Sequence, residues 1–416
     1  MGMTIAEKIL ARHSGRDVVK PGEYVWCNVD GTGLIGPPSQ LEALGVQKVF
    51  DPEKVWMVDD HFAPSPTPER AETARTMRRL AEKYNLSHWF EYGRHGVLHQ
   101  VFPENGYCVP GDLIVSIDSH STSYGCFNAM GVPIMEELTY VLITGQLWMR
   151  VPESIRFNIV GKLPEWCVGK DIILKIAGDH GTDCAIYRSV EFGGPVVKQL
   201  SLGSRFTMSN MGIELGAKCA VFEVDDVTME WLKGRIYREP NPASPDPDAV
   251  YEAVYDVDVT DMEPQVACPH DPGNVKPVSL VQDMKVRIDQ AFIGSCTNGR
   301  TEDYIVAAKI MKGKKVAPWA RCIITPASQS IWLECARNGV WGTLAEAGCM
   351  ITHSSCGLCG GAHLGLLAGG DVSISSTNRN FQGRQGSPEA QIYLASPATV
   401  AASAITGYVT DPRPFM

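Results

Sequence analysis

The sequence predicts an α/β fold, and three observations predict it. Short β-branched runs alternate with helical patterns along the chain, and the runs end on polar or glycine-rich segments. At 416 residues, 44% hydrophobic and 20% charged, the chain is long enough for two or three domains with a substantial core. The pattern divides it into α/β segments 1–152, 153–270 and 271–416, the second ending in a Pro- and Asp-rich connection.

Thr4 to His13 and Pro68 to Asn85 read as helices, the second amphipathic with basic residues on its outer face. Leu113 to Ile117 reads as a buried strand that ends on Asp118-Ser119-His120. Polar residues at the carboxyl end of a parallel strand are where open α/β sheets place their sites. After Val151 a second segment runs through KDIILKIAG and RFTMSNMGIELGAKCAVFEV. A helix from Phe206 to Ala217 would set Asn210 and Glu214, four apart, on one face. REPNPASPDPDAVY (Arg238 to Tyr251) and PHDPGNVKP (Pro269 to Pro277) then read as a long irregular connection between domains. Beyond it QAFIG, RCIIT and DVSIS are short strands separated by helices such as TEDYIVAAKIMKG.

The glycine-rich loops of this last segment carry the most telling residues: Cys296 in GSCTNGR, and Cys356 and Cys359 in HSSCGLCGG. Three thiolates leave a metal centre one ligand short of a closed structural site, which is the condition for chemistry at the metal. The glycines let backbone amides approach inorganic sulfide. Beside the cysteines stand acid and base pairs, Asp60-His61, His99 and Asp118-Ser119-His120, in which a carboxylate can fix an imidazole's tautomer and raise its basicity. Asn378, Arg379 and Arg384 share one loop after a strand, and arginine forks recognise carboxylates.

Composition narrows the partners. Lys+Arg 37 against Asp+Glu 47 gives a net charge of −10, so no basic field is available to hold nucleic acid. The 13 cysteines are odd in number and scattered, which fits a reducing cytoplasm better than a disulfide framework. The N-terminus lacks a signal-peptide core, and the longest apolar stretch, Tyr140 to Met149, is too short and too interrupted to span a membrane. A soluble protein is expected.

In order along the chain, MTIAEKILARH, the DH pair, VLHQVFPENG, DSH, MSNMGIELGAK, GSCTNGR, CGLCGG and NRNFQGRQG resemble the aconitase superfamily, in particular its separate large subunits of the 3-isopropylmalate dehydratase and homoaconitase type. The resemblance implies three α/β/α domains around one 4Fe-4S cluster, without the fourth, swivelling domain. It puts the cluster ligands at Cys296, Cys356 and Cys359, and catalytic positions at Asp60, His61, His99, Asp118, His120 and Glu214. Ser119, Asn210, Arg379 and Arg384 fall at substrate-side positions, Arg384 being the better candidate for a substrate carboxylate, and Asn298 and Asn378 in the cluster's surroundings. Cys108 and Cys126 match no ligand and read as packing. The implied reaction is dehydration and rehydration of a 2-hydroxy diacid such as an alkyl-substituted malate, most often in leucine biosynthesis. The implied partner is a small subunit carrying the missing domain.

Two departures from the family pattern bear on substrate. Ser121 replaces a threonine, with Pro133, Ile134 and Met135 where small or polar residues are usual, and Val29 precedes Asp30 where a polar residue is common. Both would make a pocket rim more apolar. A rival from another class is a zinc or redox protein built on CGLC, although a thioredoxin-like CxxC should open a helix directly after a strand.

Overall fold

The computed structural model describes residues 2–416. Besides a two-stranded antiparallel ribbon, Tyr24–Asn28 with Gln146–Arg150, three larger sheets occupy three successive stretches of the chain. The first has five parallel strands in the order His88–Phe90, Val55–Val58, Gly31–Leu34, Leu113–Ser116 and Met130–Pro133. The second has four parallel strands, Cys219–Phe222, Ser189–Gly193, Ser154–Val160 and Ala253–Asp258. The third runs Gln391–Ala395, Val372–Ser375, Gln290–Gly294, Arg321–Thr325 and Met350–Ile351 in parallel, with Gln265–Ala267 and Val275–Pro277 added antiparallel at one edge.

Strand order reverses between Gly31–Leu34 and Leu113–Ser116 in the first sheet, and between Val372–Ser375 and Gln290–Gly294 in the third. Loops leaving the carboxyl ends on either side of such a reversal diverge and open a crevice. Asp118 and His120 follow one of these strands, and Cys296 and Asn378 follow two others.

The predicted helices form, with boundaries set by local chemistry. Ile5–Ser14 starts at a capping box in which the Thr4 amide donates to Glu7 at 2.8 Å. Pro68–Lys83 starts behind Thr67, whose hydroxyl accepts from the Arg70 amide, and Pro68 fits the first turn because its missing donor is not needed there. Leu113–Ser116, Gln290–Gly294, Arg321–Thr325, Val372–Ser375 and the helix Thr301–Met311 fall where their sequences place them.

Two expectations change. The helix expected over Phe206–Ala217 begins earlier, at Leu202, behind an N-cap formed by Ser201, and tightens into a 3-10 turn over Met211–Leu215. Asn210 therefore closes the α-helix and Glu214 projects from the tighter turn, so they do not share a simple helix face. The stretch Arg238 to Tyr251 is irregular but is no free linker. The Arg238 guanidinium holds Asp112 with two bonds of 3.0 and 2.8 Å, the Asn241 amide donates to the Pro110 carbonyl, and the Asn128 side chain bonds both polar backbone groups of Ala243. The Asp246 carboxylate takes the Met3 amide and the Lys8 ammonium. The segment is a strap across the first sheet's unit.

A large core runs through the second and third sheets' units and reaches the underside of the first. A second core, between the helix Ile5–Ser14 and the first sheet, contains Val29 and Ile134. Among the described residues no helix is long and apolar enough to cross a membrane.

Candidate functional site

The carboxyl ends of the first and third sheets face each other, and two backbone bonds and one side-chain bond fix their separation. The Cys356 amide donates to the Asp60 carbonyl at 3.2 Å, the Val97 amide to the Ala327 carbonyl at 2.7 Å, and His353 Nε2 meets the Ala63 carbonyl at 2.7 Å. Residues distant in sequence thereby come together around three buried thiols.

Asn378 links two of the thiols. Its amide nitrogen lies 3.5 Å from Cys296 Sγ, and its amide oxygen accepts from Cys359 Sγ at 3.4 Å. Asn378 is itself held by Thr297 Oγ1 at 2.9 Å and Asn210 Oδ1 at 3.4 Å. The third thiol, Cys356, faces His61 Nε2 at 3.9 Å. Two local backbone features aim these side chains. Ser295, directly before Cys296, sits at φ 67, a strained position for a residue with a side chain, and Gly357 between the paired cysteines is at φ 61. Burial, and then the neighbouring Cys356 and Cys359, push the Cys296 thiol well above its usual range, and burial pushes Cys356 up to about 11 against the pull of His61.

Three buried soft donors with no fourth thiol beside them suit an iron-sulfur cluster with one iron free of protein ligand. Among the described residues no group of three or more His, Cys, Asp or Glu is arranged to hold a single metal ion. Positive charge stands by: burial opposes ionisation of Arg384, but Cys359 and Cys356 hold its guanidinium above the usual range, and its buried Nε has no partner among the described residues.

The acid and base residues form one chain of contacts leading away from the thiols. His61 Nδ1 bonds Asp60 Oδ1, while Asp60 Oδ2 accepts from the Leu98 amide at 3.2 Å. His61 Nε2 lies 3.6 Å from Asp118 Oδ2. Asp118 Oδ1 accepts from His99 Nε2 at 2.7 Å and from the His120 amide at 2.8 Å. His120 Nε2 lies 3.2 Å from Glu214 Oε1, which also accepts from Arg379 Nε at 2.7 Å.

Burial opposes the charges of Asp118, Glu214, His120 and His61, and pairing overrides it. Hydrogen bonds from His120 and His99 hold Asp118 well below the usual carboxylate range. Glu214 is lowered by His120 and Arg379, and His120 is raised by Glu214 and Asp118. His61 is raised well above its usual value by Asp60 and Cys356. The Glu214 Oε2 atom is buried with no partner among the described residues.

Of the remaining residues singled out from the sequence, Ser119 Oγ lies 3.3 Å from His120 Nδ1. Asn210 donates to Ser123 Oγ and accepts from Thr297. Asn298 turns away from the thiols: its amide donates to Thr207 and Asp303, in a layer behind Cys296. Cys108 and Cys126 are buried among apolar neighbours.

The expected apolar rim is not there. Val29 and Ile134 are buried in the second core, beneath the first sheet, and Met135 is exposed on the outside. Ser121 bonds Ser116 Oγ and the Asp118 carbonyl inside the loop. Asp30, which follows Val29, pairs with His13 at 2.6 Å and takes the Leu113 amide, so it braces structure.

The sequence reading missed Lys170, Arg300, Thr297 and Ser123. Arg300 and Thr297 lie inside GSCTNGR and could have been read from it: the Arg300 guanidinium caps the Cys296 carbonyl at 3.0 Å. Lys170 gave no signal, because a lysine at the start of a helix reads as solvated.

The Aconitase family model (aconitate hydratase) matches residues 48–407. The 3-isopropylmalate dehydratase large subunit of Aquifex aeolicus is 45% identical over 99% of this chain and 97% of its own length. Large subunit 1 of the same enzyme from Methanopyrus kandleri is 45% identical over 100% of both chains, and that from Pyrococcus furiosus 45% identical over 99% of both. Matched in this way along nearly its whole length, the chain belongs to the aconitase family.

Proposed function

We propose that this chain is the large subunit of a 4Fe-4S hydro-lyase that dehydrates and rehydrates an alkyl-substituted malate, and that it works as a 3-isopropylmalate dehydratase in leucine biosynthesis. One observation carries the reading: the contact chain Asp60, His61, Asp118, His99, His120, Glu214 and Arg379 ends, through His61, on Cys356, beside the two thiols that Asn378 links. The names of relatives 45% identical over their full length support the choice of substrate.

When bound by Cys296, Cys356 and Cys359, the cluster supplies a Lewis-acidic iron that makes hydroxide a better leaving group. The chain's own residues do the rest. His61, kept protonated by Asp60, presents Nε2 as the proton donor to the departing oxygen, and Asp118 and His99 fix its surroundings. Arg379 is committed to Glu214, which leaves Arg384 to grip a substrate carboxylate bidentately. Glu214 and His120 hold complementary charges, so a proton can pass between them without net charge change in a buried site. The base for the carbon-bound proton belongs to a separate small subunit, which closes the site against water; the relatives' name, large subunit, supports such a partner.

The test is anaerobic co-expression with the small subunit, followed by iron and sulfide analysis and an ultraviolet assay of alkene formation across several hydroxy diacids. Turnover of 3-isopropylmalate that needs both iron and partner is expected. A preparation with zinc and no sulfide, or full turnover by the large subunit alone, would refute the reading.

A further inference from the structure

Lys170 lies in the first turn of the helix Gly169–His180, where lysine side chains normally reach water. Here it is 0% exposed. Its ammonium donates to the Ser376 carbonyl at 3.2 Å and to the Thr377 carbonyl. Those carbonyls directly follow the strand Val372–Ser375 and immediately precede Asn378 and Arg379. Asn378 bridges Cys296 and Cys359, and Arg379 holds Glu214.

The neighbouring Asp171 does not neutralise this cation through a hydrogen bond. Its two oxygens take the Val168 and Gln265 amides, and so cap the helix and tie it to the strand Gln265–Ala267. A cation bonded only to carbonyls is unstable in a buried place unless negative charge stands near. Burial pulls the Lys170 ammonium down to about 8, and the groups that resist are, in order, Glu214, Cys359, Asp171 and Cys296. Three of those four are residues of the site.

Resting on the function proposed above, we infer that Lys170 is a positioning residue for the cluster and the substrate side: it clamps the 376–377 carbonyls, aiming Asn378 and Arg379, and its charge offsets that of the thiolates and Glu214. Two consequences differ from those of mere packing. A nearby fixed positive charge favours the more negative, reduced cluster, so losing it lowers the cluster's midpoint potential. Loosening the 376–379 turn shifts the loop that carries on to Arg384, the proposed grip on the substrate carboxylate, and weakens substrate binding.

The test uses the assembled complex of both subunits with its cluster loaded. Lys170→Met keeps length and loses charge and donors, Lys170→Gln keeps a donor without charge, and Lys170→Arg keeps charge. Redox titration followed by electron paramagnetic resonance is expected to show a lower midpoint potential in the Met and Gln proteins, and a value near wild type in the Arg protein. KM for the diacid is expected to rise about tenfold in Lys170→Met, with kcat falling less. A folded Lys170→Met protein with wild-type potential and KM would overturn the inference, as would failure of all three variants to fold, which would assign Lys170 to the fold alone. A wild-type complex that binds no cluster would instead sink the functional reading, so the two failures are told apart by the wild-type control.

Discussion

Asp118 collects more of the site than any other side chain, with His99 and the His120 amide on Oδ1 and His61 near Oδ2. Against burial, hydrogen bonds from His120 and His99 hold its carboxyl well below the usual carboxylate range, so it is an acceptor at neutral pH. Asp118→Asn keeps the shape and turns one acceptor into a donor that faces imidazole N–H groups. Steady-state kinetics should show kcat lower by roughly 10²- to 10⁴-fold with a small change in KM. The residues around Asp118 were legible in the sequence because each sits in a short polar string at a strand's carboxyl end, as in Asp60-His61 and Asp118-Ser119-His120. Lys170 was not legible, because what makes it unusual is the absence of water around it, and that is decided by residues 376–377, two hundred positions away. Val29 and Ile134 misled for the converse reason. Closeness in sequence to Asp30 and His120 did not make them neighbours of the site: each lies just past the end of a strand and turns into the second core instead.

At the scale of elements, the strap Arg238 to Tyr251 shows how composition can mislead. Proline, aspartate and serine mark irregular backbone correctly, but whether that backbone is loose depends on partners that lie far off in sequence. Arg238 is the main tether, and Asp112 opposite it is buried, with burial pushing its carboxyl up to about 6 while Arg238 pulls it down. Arg238→Ala should cost about 1–3 kcal/mol, measured by urea unfolding. The sign follows from Asp112. Below pH about 6 its carboxyl carries a proton and the loss is small; above that pH an unpaired buried carboxylate makes the loss grow. A pH-independent deficit would mean that the strap is held by its backbone bonds instead. The 3-10 turn Met211–Leu215 was likewise invisible to helical periodicity, which cannot distinguish a tightened last turn from a continuing helix.

On the scale of the whole molecule, the ionic chain crosses all three sheets' units: His120 comes from the first, Glu214 from the second and Arg379 from the third. Its pH dependence is therefore a property of the assembly. His120 is raised above 6.5, so its contribution is complete below that value and is lost as pH rises through the raised pKa. Glu214 is lowered below 4.5, so its contribution is complete above that value and is lost as pH falls through the depressed pKa. Between pH 4.5 and 6.5 both are whole. Glu214→Gln should be less stable than wild type by roughly 1.5–3 kcal/mol in that window, and thermal melts should show the gap narrowing towards either extreme. A constant gap from pH 4 to about 9 would show that shape, not charge, joins the units. The α/β rhythm itself was legible, because each sheet is built from a continuous stretch of alternating elements, but the boundary expected after residue 270 was not: Gln265–Ala267 and Val275–Pro277, in the stretch read as a connection, add to the third sheet's edge.

The contacts between the N-terminus and the strap also govern the order in which the chain can be completed. Gly2 pairs with Ala249, Met3 bonds Asp246, and Lys8 meets the same carboxylate. A ribosome adds about 5–20 residues per second, so the first helix leaves the tunnel roughly ten seconds or more before residue 246 does. During that interval its apolar side, Ile5, Ile9 and Leu10, has only part of its final surroundings. The first helix is thus secured only once the strap, more than two hundred residues later, has been made, and nascent chains halted short of the strap should need a chaperone more than those halted just beyond it.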